Sequence, residues 1–272
     1  MAVHPTAIVE DSAVLSSGVE VGPYCIVGAG ALLGAGVRLH SHVVVRAHTE
    51  VGARSVVHAH AVLGGEAQIR NASAPEAKLI IGEDNVIREG VTISAGSQCG
   101  GGVTRIGDRN YFMAYSHVGH DCRLGNDITV SNGVQLAGHV EVGDGVIMGG
   151  LAAAQQFSRI GQYAFISGLS GVSLDVIPYG MVIGLHARHG GLNLIGLRRR
   201  NVPRARIHAL RAAFHSIFEE EQGALHDRAR RAAETWPDMP EVQDVTSFIL
   251  ADAKRSIAPA RPRGGDEAEP DE

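Results

Sequence analysis

The stretch from Phe112 to Val142 carries three histidines, His117, His120 and His139, and an acid, Asp121, directly after the second of them. Histidine titrates near neutral pH and is the side chain best placed to take a proton from a weak nucleophile, so the group reads first as a general-base site. Apolar residues recur around it every six positions, at Phe112, Val118, Leu124, Val130, Leu136 and Val142. A period of six is neither helical nor a simple strand alternation. It belongs to a repeat architecture in which three hexads close one triangular coil. Residues 18 apart then stack roughly 4.8 Å from each other. On that ruler His120 lies under Gly138, and His139 lies over Asp121. A base, a carboxylate and a backbone amide that no side chain shields meet at one place, which suits proton removal coupled to stabilisation of an oxyanion.

The elements that must position these groups follow from the same period. From Val3 the hexad runs through Val9, Leu15, Val21, Val27, Leu33, Leu39, Val45, Val51 and Val57 to Leu63, with a small or β-branched residue four positions after each. This is the pattern of a left-handed parallel β-helix, in which the aliphatic residue fills the prism and glycine often follows at the corner, as in Val21-Gly22 and Leu33-Gly34. The rhythm breaks near 65–80 and again near 99–105, so both stretches are expected to loop out at corners and to wall a site. About 28 hexads predict nine to ten coils over residues 1–187. From Pro203 the spacing of Ile207, Leu210, Phe214, Ile217 and Phe218 is helical, and further helices are expected over 224–234 and through Phe248 and Leu250. The predicted fold is mainly β, a left-handed parallel β-helix followed by a small α-helical C-terminal domain over 188–256. The Pro-, Gly- and acid-rich residues 257–272 read as a disordered tail.

Composition fits and narrows the function. Among 272 residues there are 35 glycines and only 4% aromatics, which suits a narrow prism core. The net charge of -5 gives no reason to expect nucleic acid. The amino terminus lacks a basic segment followed by an apolar run, and no stretch has the length of an integral membrane segment, so a cytoplasmic protein is expected. Cys25, Cys99 and Cys122 form no ligand ladder, and the stacked pairs His40/His58 and His42/His60 read as solvated or subunit-facing corner residues, so no metal is expected. Between Val176 and Phe218 there is no acid, yet Arg188, Arg198, Arg199, Arg200, Arg204, Arg206 and Arg211 are present; this basic patch calls for an anionic partner.

Seven segments carry a closer resemblance: HPTAIVE at 4–10, SHVVV at 41–45, QCGGGVTRIG at 98–107, SHVGHDC at 116–122, LAGHV at 136–140, QQF at 155–157 and GLNLIGLRRR at 191–200. Over about residues 1–255 the chain resembles the UDP-N-acetylglucosamine O-acyltransferases, the acyl-carrier-protein-dependent enzymes that begin lipid A synthesis. The resemblance implies His120 as general base, Asp121 as its support and the Gly138 amide facing the thioester carbonyl. It implies that His117, His139 and Gln156 line the sugar-nucleotide site, that Asn193, Arg199 and Arg200 bind nucleotide phosphate or carrier protein across a subunit boundary, and that Gly168 stops a hydrocarbon ruler. It also implies a homotrimer, an acyl carrier protein thioester as donor substrate, a UDP-sugar as acceptor and no cofactor.

The chain departs from the family pattern at Gln155, where histidine is usual, at 68–72, and at Leu185 and Ile195, where Asn and Glu are usual. These departures leave the base and the oxyanion donor intact but alter the expected sugar-nucleotide contacts. A variant forming an amide on a UDP 3-amino sugar, a coenzyme A-dependent sugar-nucleotide acetyltransferase and a non-catalytic β-helical paralogue are the alternatives. The later N-acyltransferase of the pathway fits less well, because the hexads begin at Val3.

Overall fold

The computed structural model describes residues 2–70, 74–220 and 222–261. Most hexads form two-residue strands, such as Glu20–Val21, Val44–Val45 and His117–Val118, each followed by a tight corner. In such a pair the first residue faces outward and the second fills the prism: Val21, Val45 and Leu63 are 3%, 0% and 0% exposed. The small residues four positions on, Val19, Cys25, Ala31 and Val37 among them, are buried beside them. Each such aliphatic side chain contributes roughly 1.5–3 kcal/mol on burial. At the open end Val3 is 41% exposed and Val9 and Leu15 only half-buried, because an end coil lacks one stacking neighbour.

Among the described residues the strands stack into three faces of 11, 9 and 8 strands. Pairing is parallel in the predicted register of 18, as in Ala2 with Glu20 and His117 with Gln135. The register widens only where a loop is inserted, so that Val56 pairs with Val86 and Val86 with Tyr111. The first loop joins Val62–Gly65 to Lys78–Ile81. The second joins Thr92–Ser94 to Val103–Ile106, so it opens at 95 and the strand resumes at 103, a few residues earlier at both ends than the sequence pattern suggests. Many corners place a non-glycine residue in the left-handed region, including His42, His60, Asp121 and His139 at φ of 59°, 64°, 59° and 61°. That conformation costs roughly 1–2 kcal/mol per residue. Coil-to-coil hydrogen bonds at the same corners, such as His139 N–H to the His120 carbonyl at 2.8 Å, offset it.

The first helix begins at Leu194, before Pro203, while the segment from 188 is not yet helical. Arg188–Leu192 is still a strand, antiparallel to Gly180–Ile183, because glycines at 190 and 191 and the apolar Leu192 extend a hairpin on the first face. Among the described residues four helices follow: α1 (Leu194–Arg199), α2 (Arg204–Phe218), α3 (Leu225–Thr235) and α4 (Pro240–Leu250). α4 is tied to the prism by its Asp244, which accepts from the Tyr179 hydroxyl at 2.5 Å and from Gln162 at 2.8 Å. Residues 257–261 correct the tail expectation. Ile257 bridges to Asp175, Ala260 bridges to His189, and Ala258 is 1% exposed, since the unpaired backbone of the last coil offers this segment a docking edge. Residues 262–272 lie outside the described residues.

Candidate functional site

Both loops leave the prism at the same corner, between the second and third faces. Directly beyond them on that corner come His120-Asp121, then Gly138-His139, then Gln156-Phe157, one pair per coil. The backbone stacks them: His139 N–H donates to the His120 carbonyl at 2.8 Å, and Phe157 N–H donates to the Gly138 carbonyl at 3.3 Å.

Asp121 is the electrostatic centre. Its carboxylate accepts from the Ser97 N–H at 2.9 Å, from the Ser97 hydroxyl at 2.5 Å and from His120 Nδ1 at 2.8 Å. Burial opposes its ionisation, but the two Ser97 donors and His120 outweigh burial and hold the carboxyl below its ordinary value. The second loop is therefore a wall of the site: Gly100 lies so close that a Cβ there would fall 2.1 Å from the Asp121 carboxyl carbon. The Thr104 hydroxyl accepts the Asp121 amide at 2.8 Å and fixes the corner from below.

With its Nδ1 proton directed at Asp121, His120 presents Nε2 as a bare lone pair. The ring lies against Gly138, where a Cβ would sit 2.4 Å from both Cε1 and Nε2. Among the described residues the Gly138 N–H has no hydrogen-bond partner. A free amide donor thus stands beside the nitrogen that would take a proton, which is the juxtaposition an acyl transfer needs. His120 is only 5% exposed in the single chain: the His139 ring meets it edge-on at 5.0 Å, and Phe157 stacks on His139 at 4.5 Å. Burial, followed by the neighbouring His120 and Lys254, keeps His139 below the ordinary histidine value, although Asp121, with its carboxylate 3.8 Å away, pulls the other way.

The ligand atoms of His120, Asp121 and His139 all lie within 4.8 Å of one another, close enough to hold an ion. Each of the two Asp121 oxygens already accepts from a protein donor, so an ion would have to displace the His120 contact that orients the base.

A sequence model described as UDP-N-acetylglucosamine O-acyltransferase, domain 2, matches residues 175–258. A curated relative from Agrobacterium fabrum, an acyl-[acyl-carrier-protein]–UDP-N-acetylglucosamine O-acyltransferase, is 48% identical over 173 residues, 64% of this chain and 64% of the relative. A solved UDP-N-acetylglucosamine O-acyltransferase from Moraxella catarrhalis superimposes with a TM-score of 0.91 at 35% identity, over 95% of this chain and 100% of that one. The chain belongs to the UDP-N-acetylglucosamine O-acyltransferase family. The Arabidopsis UDP-N-acetylglucosamine acyltransferase structure is similar as well, with a TM-score of 0.84 at 32% identity over 94% of this chain and 99% of the other.

The remaining residues expected from the acyltransferase resemblance are spread over the prism. His117 is one coil-side before the base, bonded through Nδ1 to Thr92 Oγ1 at 2.7 Å; burial and then the nearby His120 lower its pKa, despite the Thr92 contact. Gln156 is exposed on the catalytic corner, one coil beyond Gly138. Asn193 caps α1 by accepting from Gly196 N–H at 2.9 Å and donates to the Tyr163 carbonyl at 3.0 Å. Arg199 is exposed, and Arg200 lies over the Tyr163 ring at 3.3 Å. Tyr163 belongs to the corner between the third and first faces. Gly168 is exposed on the corner between the first and second faces. His120, Asp121, Gly138, His139 and Gln156 thus share one corner of the triangular prism, Asn193 and Arg200 meet the Tyr163 corner, Gly168 lies at the remaining one, and His117 lies in a strand beside the base. The sequence reading missed Ser97, Thr104, Phe157, Lys254 and Arg255. Ser97 and Thr104 flank the glycine-rich insert, and that proximity to the break in rhythm was the one available signal.

Proposed function

We propose that this protein transfers an acyl chain from an acyl carrier protein thioester to the 3-hydroxyl of UDP-N-acetylglucosamine. The carrying observation is the unpartnered Gly138 N–H set beside a His120 ring whose Nδ1 proton is held by Asp121. The sugar hydroxyl gives its proton to His120 Nε2 as its oxygen attacks the thioester carbonyl carbon. The carbonyl oxygen becomes an oxyanion that accepts from Gly138. Collapse breaks the carbon–sulfur bond, and the leaving thiolate takes the proton back from the imidazolium, so the base is restored. Asp121 stays ionised throughout and steadies the transient positive charge on His120.

The placement of Arg199, Arg200 and Gly168 away from the His120 corner of their own chain supports a homotrimer in which each site lies between two prisms. On this reading His117, His139 and Gln156 face the sugar nucleotide, the basic face around Arg199 meets the acidic carrier protein or nucleotide phosphate, and the acyl chain runs along the groove towards Gly168. A glycine leaves that groove open. Each additional buried methylene contributes about 0.8 kcal/mol, which favours long 3-hydroxyacyl donors. No helix among the described residues is long and apolar enough to cross a membrane, which suits a reaction between cytoplasmic substrates. Purified protein incubated with 3-hydroxyacyl carrier protein and UDP-N-acetylglucosamine should release carrier thiol and yield a product whose acyl group is removed by mild alkali. No thiol release would overturn the reading, and an alkali-stable product from a 3-amino acceptor would move it to the amide-forming variant.

A further inference from the structure

The chain returns to the catalytic corner after α4. Arg255 donates from Nε to the Gln156 carbonyl at 2.8 Å, and from Nη1 to Gln155 Oε1 and to the Ser173 carbonyl, both at 3.3 Å. Lys254 places its ammonium 4.1 Å from the centre of the Phe157 ring, whose other contacts include the stacked His139 imidazole. The segment is anchored on both sides. Before it, Arg159 donates to the Phe248 carbonyl of α4; after it, Asp175 N–H donates to the Ser256 carbonyl at 2.9 Å and Ala258 N–H to that of Asp175 at 2.8 Å. Between this strap and the catalytic corner lies a cavity of about 330 Å³ bounded by Gly100, Asp121 and His139 on one side and Asp252, Ala253 and Lys254 on the other.

The Gln155 amide oxygen accepts from Arg255, so this side chain is joined to the strap rather than to the imidazoles. The corner peptide 155–157 is held to the adjacent coils by Gln155 N–H to the Val172 carbonyl at 2.8 Å and Phe157 N–H to the Gly138 carbonyl at 3.3 Å, and Arg255 adds the side-chain contacts to it. Ala153 is small, Gln155 and Gln156 are exposed, and Phe157 is in the left-handed region at φ 65°.

We propose that the strap over residues 252–257 positions the acceptor side of the catalytic corner: Arg255 fixes the Gln155-Gln156 backbone, and Lys254, acting through Phe157, fixes the His139 ring. The proposal rests on the acyltransferase reading for its kinetic part only. Lys254 and Arg255 act through other residues and are positioning residues. A cation over the outer face of Phe157 strengthens the stack and holds the ring where His139 can lie flat on it. The two guanidinium contacts to backbone carbonyls replace the water that would otherwise solvate a bare corner.

The test uses the full chain carrying Lys254→Met, which keeps the stem and removes the cation, and Arg255→Ala with Arg255→Lys beside it. A misplaced binding group typically raises KM, so Lys254→Met and Arg255→Ala are expected to raise the KM for UDP-N-acetylglucosamine about tenfold while the KM for the carrier thioester moves less than about twofold. Arg255→Lys should restore part of the loss, because a single ammonium can still reach one carbonyl. A readout independent of turnover is the titration of the His139 imidazole by NMR. The charged and titratable groups around that ring are His120 and Asp121 from the coil below, Arg123, Glu141 and Arg159 on the adjoining face, and Asp252 and Lys254 of the strap. Loss of Lys254 removes a nearby positive charge, so the His139 titration should move to higher pH and its ring signals should broaden or shift. Unchanged acceptor KM and unchanged His139 titration in both Lys254→Met and Arg255→Ala would overturn the proposal. If the wild type transfers no acyl group at all, the acyltransferase reading fails, and the His139 titration alone then decides the strap.

Discussion

Two columns of histidine rise through this prism under the same arithmetic and come to different ends. His40 stacks on His58 at 4.6 Å and His42 on His60 at 4.9 Å, as flat as coil spacing allows, with Tyr24 continuing the second stack at 5.0 Å. His40, His42 and His60 are exposed, and the acid in contact with this column, Glu89, lies 3.3 Å from His58 and is itself paired with Arg88. In the second column His120 meets His139 edge-on, is 5% exposed, and has beside it a carboxylate both of whose oxygens also accept from Ser97. The first column stands at the corner between the first and second faces, where no loop is inserted; the second stands where both loops emerge. A repeat can therefore stack histidines anywhere, but it makes a base only where an insertion supplies donors to the acid and buries it.

The largest effect that would sharpen this contrast is His120→Ala. A general base contributes typically 10² to 10⁴ in rate, so transfer should fall by that factor, while loss of the Nδ1 contact to Asp121 should cost only about 1 kcal/mol of stability and leave the fold intact. Paired replacement of His42 and His60 by alanine should leave kcat within about twofold. Comparable losses from both sets would erase the distinction.

Next in size, Gly138→Ala adds one methyl group 2.4 Å from the His120 ring. The ring must move and the amide is screened, so kcat is expected to fall about 10²-fold, the cost of losing an oxyanion donor, with donor KM little changed. Wild-type turnover in this variant would remove the Gly138 amide from the mechanism.

Charge reversal at Arg199 and Arg200 should raise the KM for the carrier-protein donor by about tenfold at low salt and flatten its salt dependence, because steering between unlike charges is screened by ions. Arg200 also covers Tyr163, so Arg199→Glu alone is the cleaner measurement. Wild-type donor kinetics at low ionic strength would assign the arginines to a solvated face.

The smallest expected effect concerns Ser97→Ala and pH. Asp121 has a folded-state value below its unfolded one, so the stability it contributes is present above the unfolded value of about 3.9 and is lost as pH falls through the folded value. Removing the Ser97 hydroxyl takes away a donor to the ionised form and should raise the folded value. The variant should lose about 1 kcal/mol at pH 7, and the gap should close below pH 4, as followed by denaturant unfolding. A gap independent of pH would mean that Ser97 acts through packing alone.

The hexads fixed the prism because every coil repeats one local rule: an aliphatic residue inward, a small residue four positions on, and a corner. The stacking of His120 with Gly138 and of His139 with Asp121 needed only that rule and a count of 18. The helices after Pro203 were legible for the same reason, each carrying its own apolar spacing. What lay beyond counting were contacts made where the rule is broken or ends. Ser97 reaches Asp121 only because the second loop folds back on its own corner, and Lys254 reaches Phe157 only because α4 turns the chain towards the last coils. Residues 257–261 look like a tail by composition yet are paired, since order there comes from an open sheet edge elsewhere in the chain. Gly168, 48 residues after His120 with no insertion between them, was placed at a different corner by the same counting. The seat of Arg200 over Tyr163 was a tertiary decision, because α1 lies beyond the last hexad and only its docking on the prism sets which corner it meets.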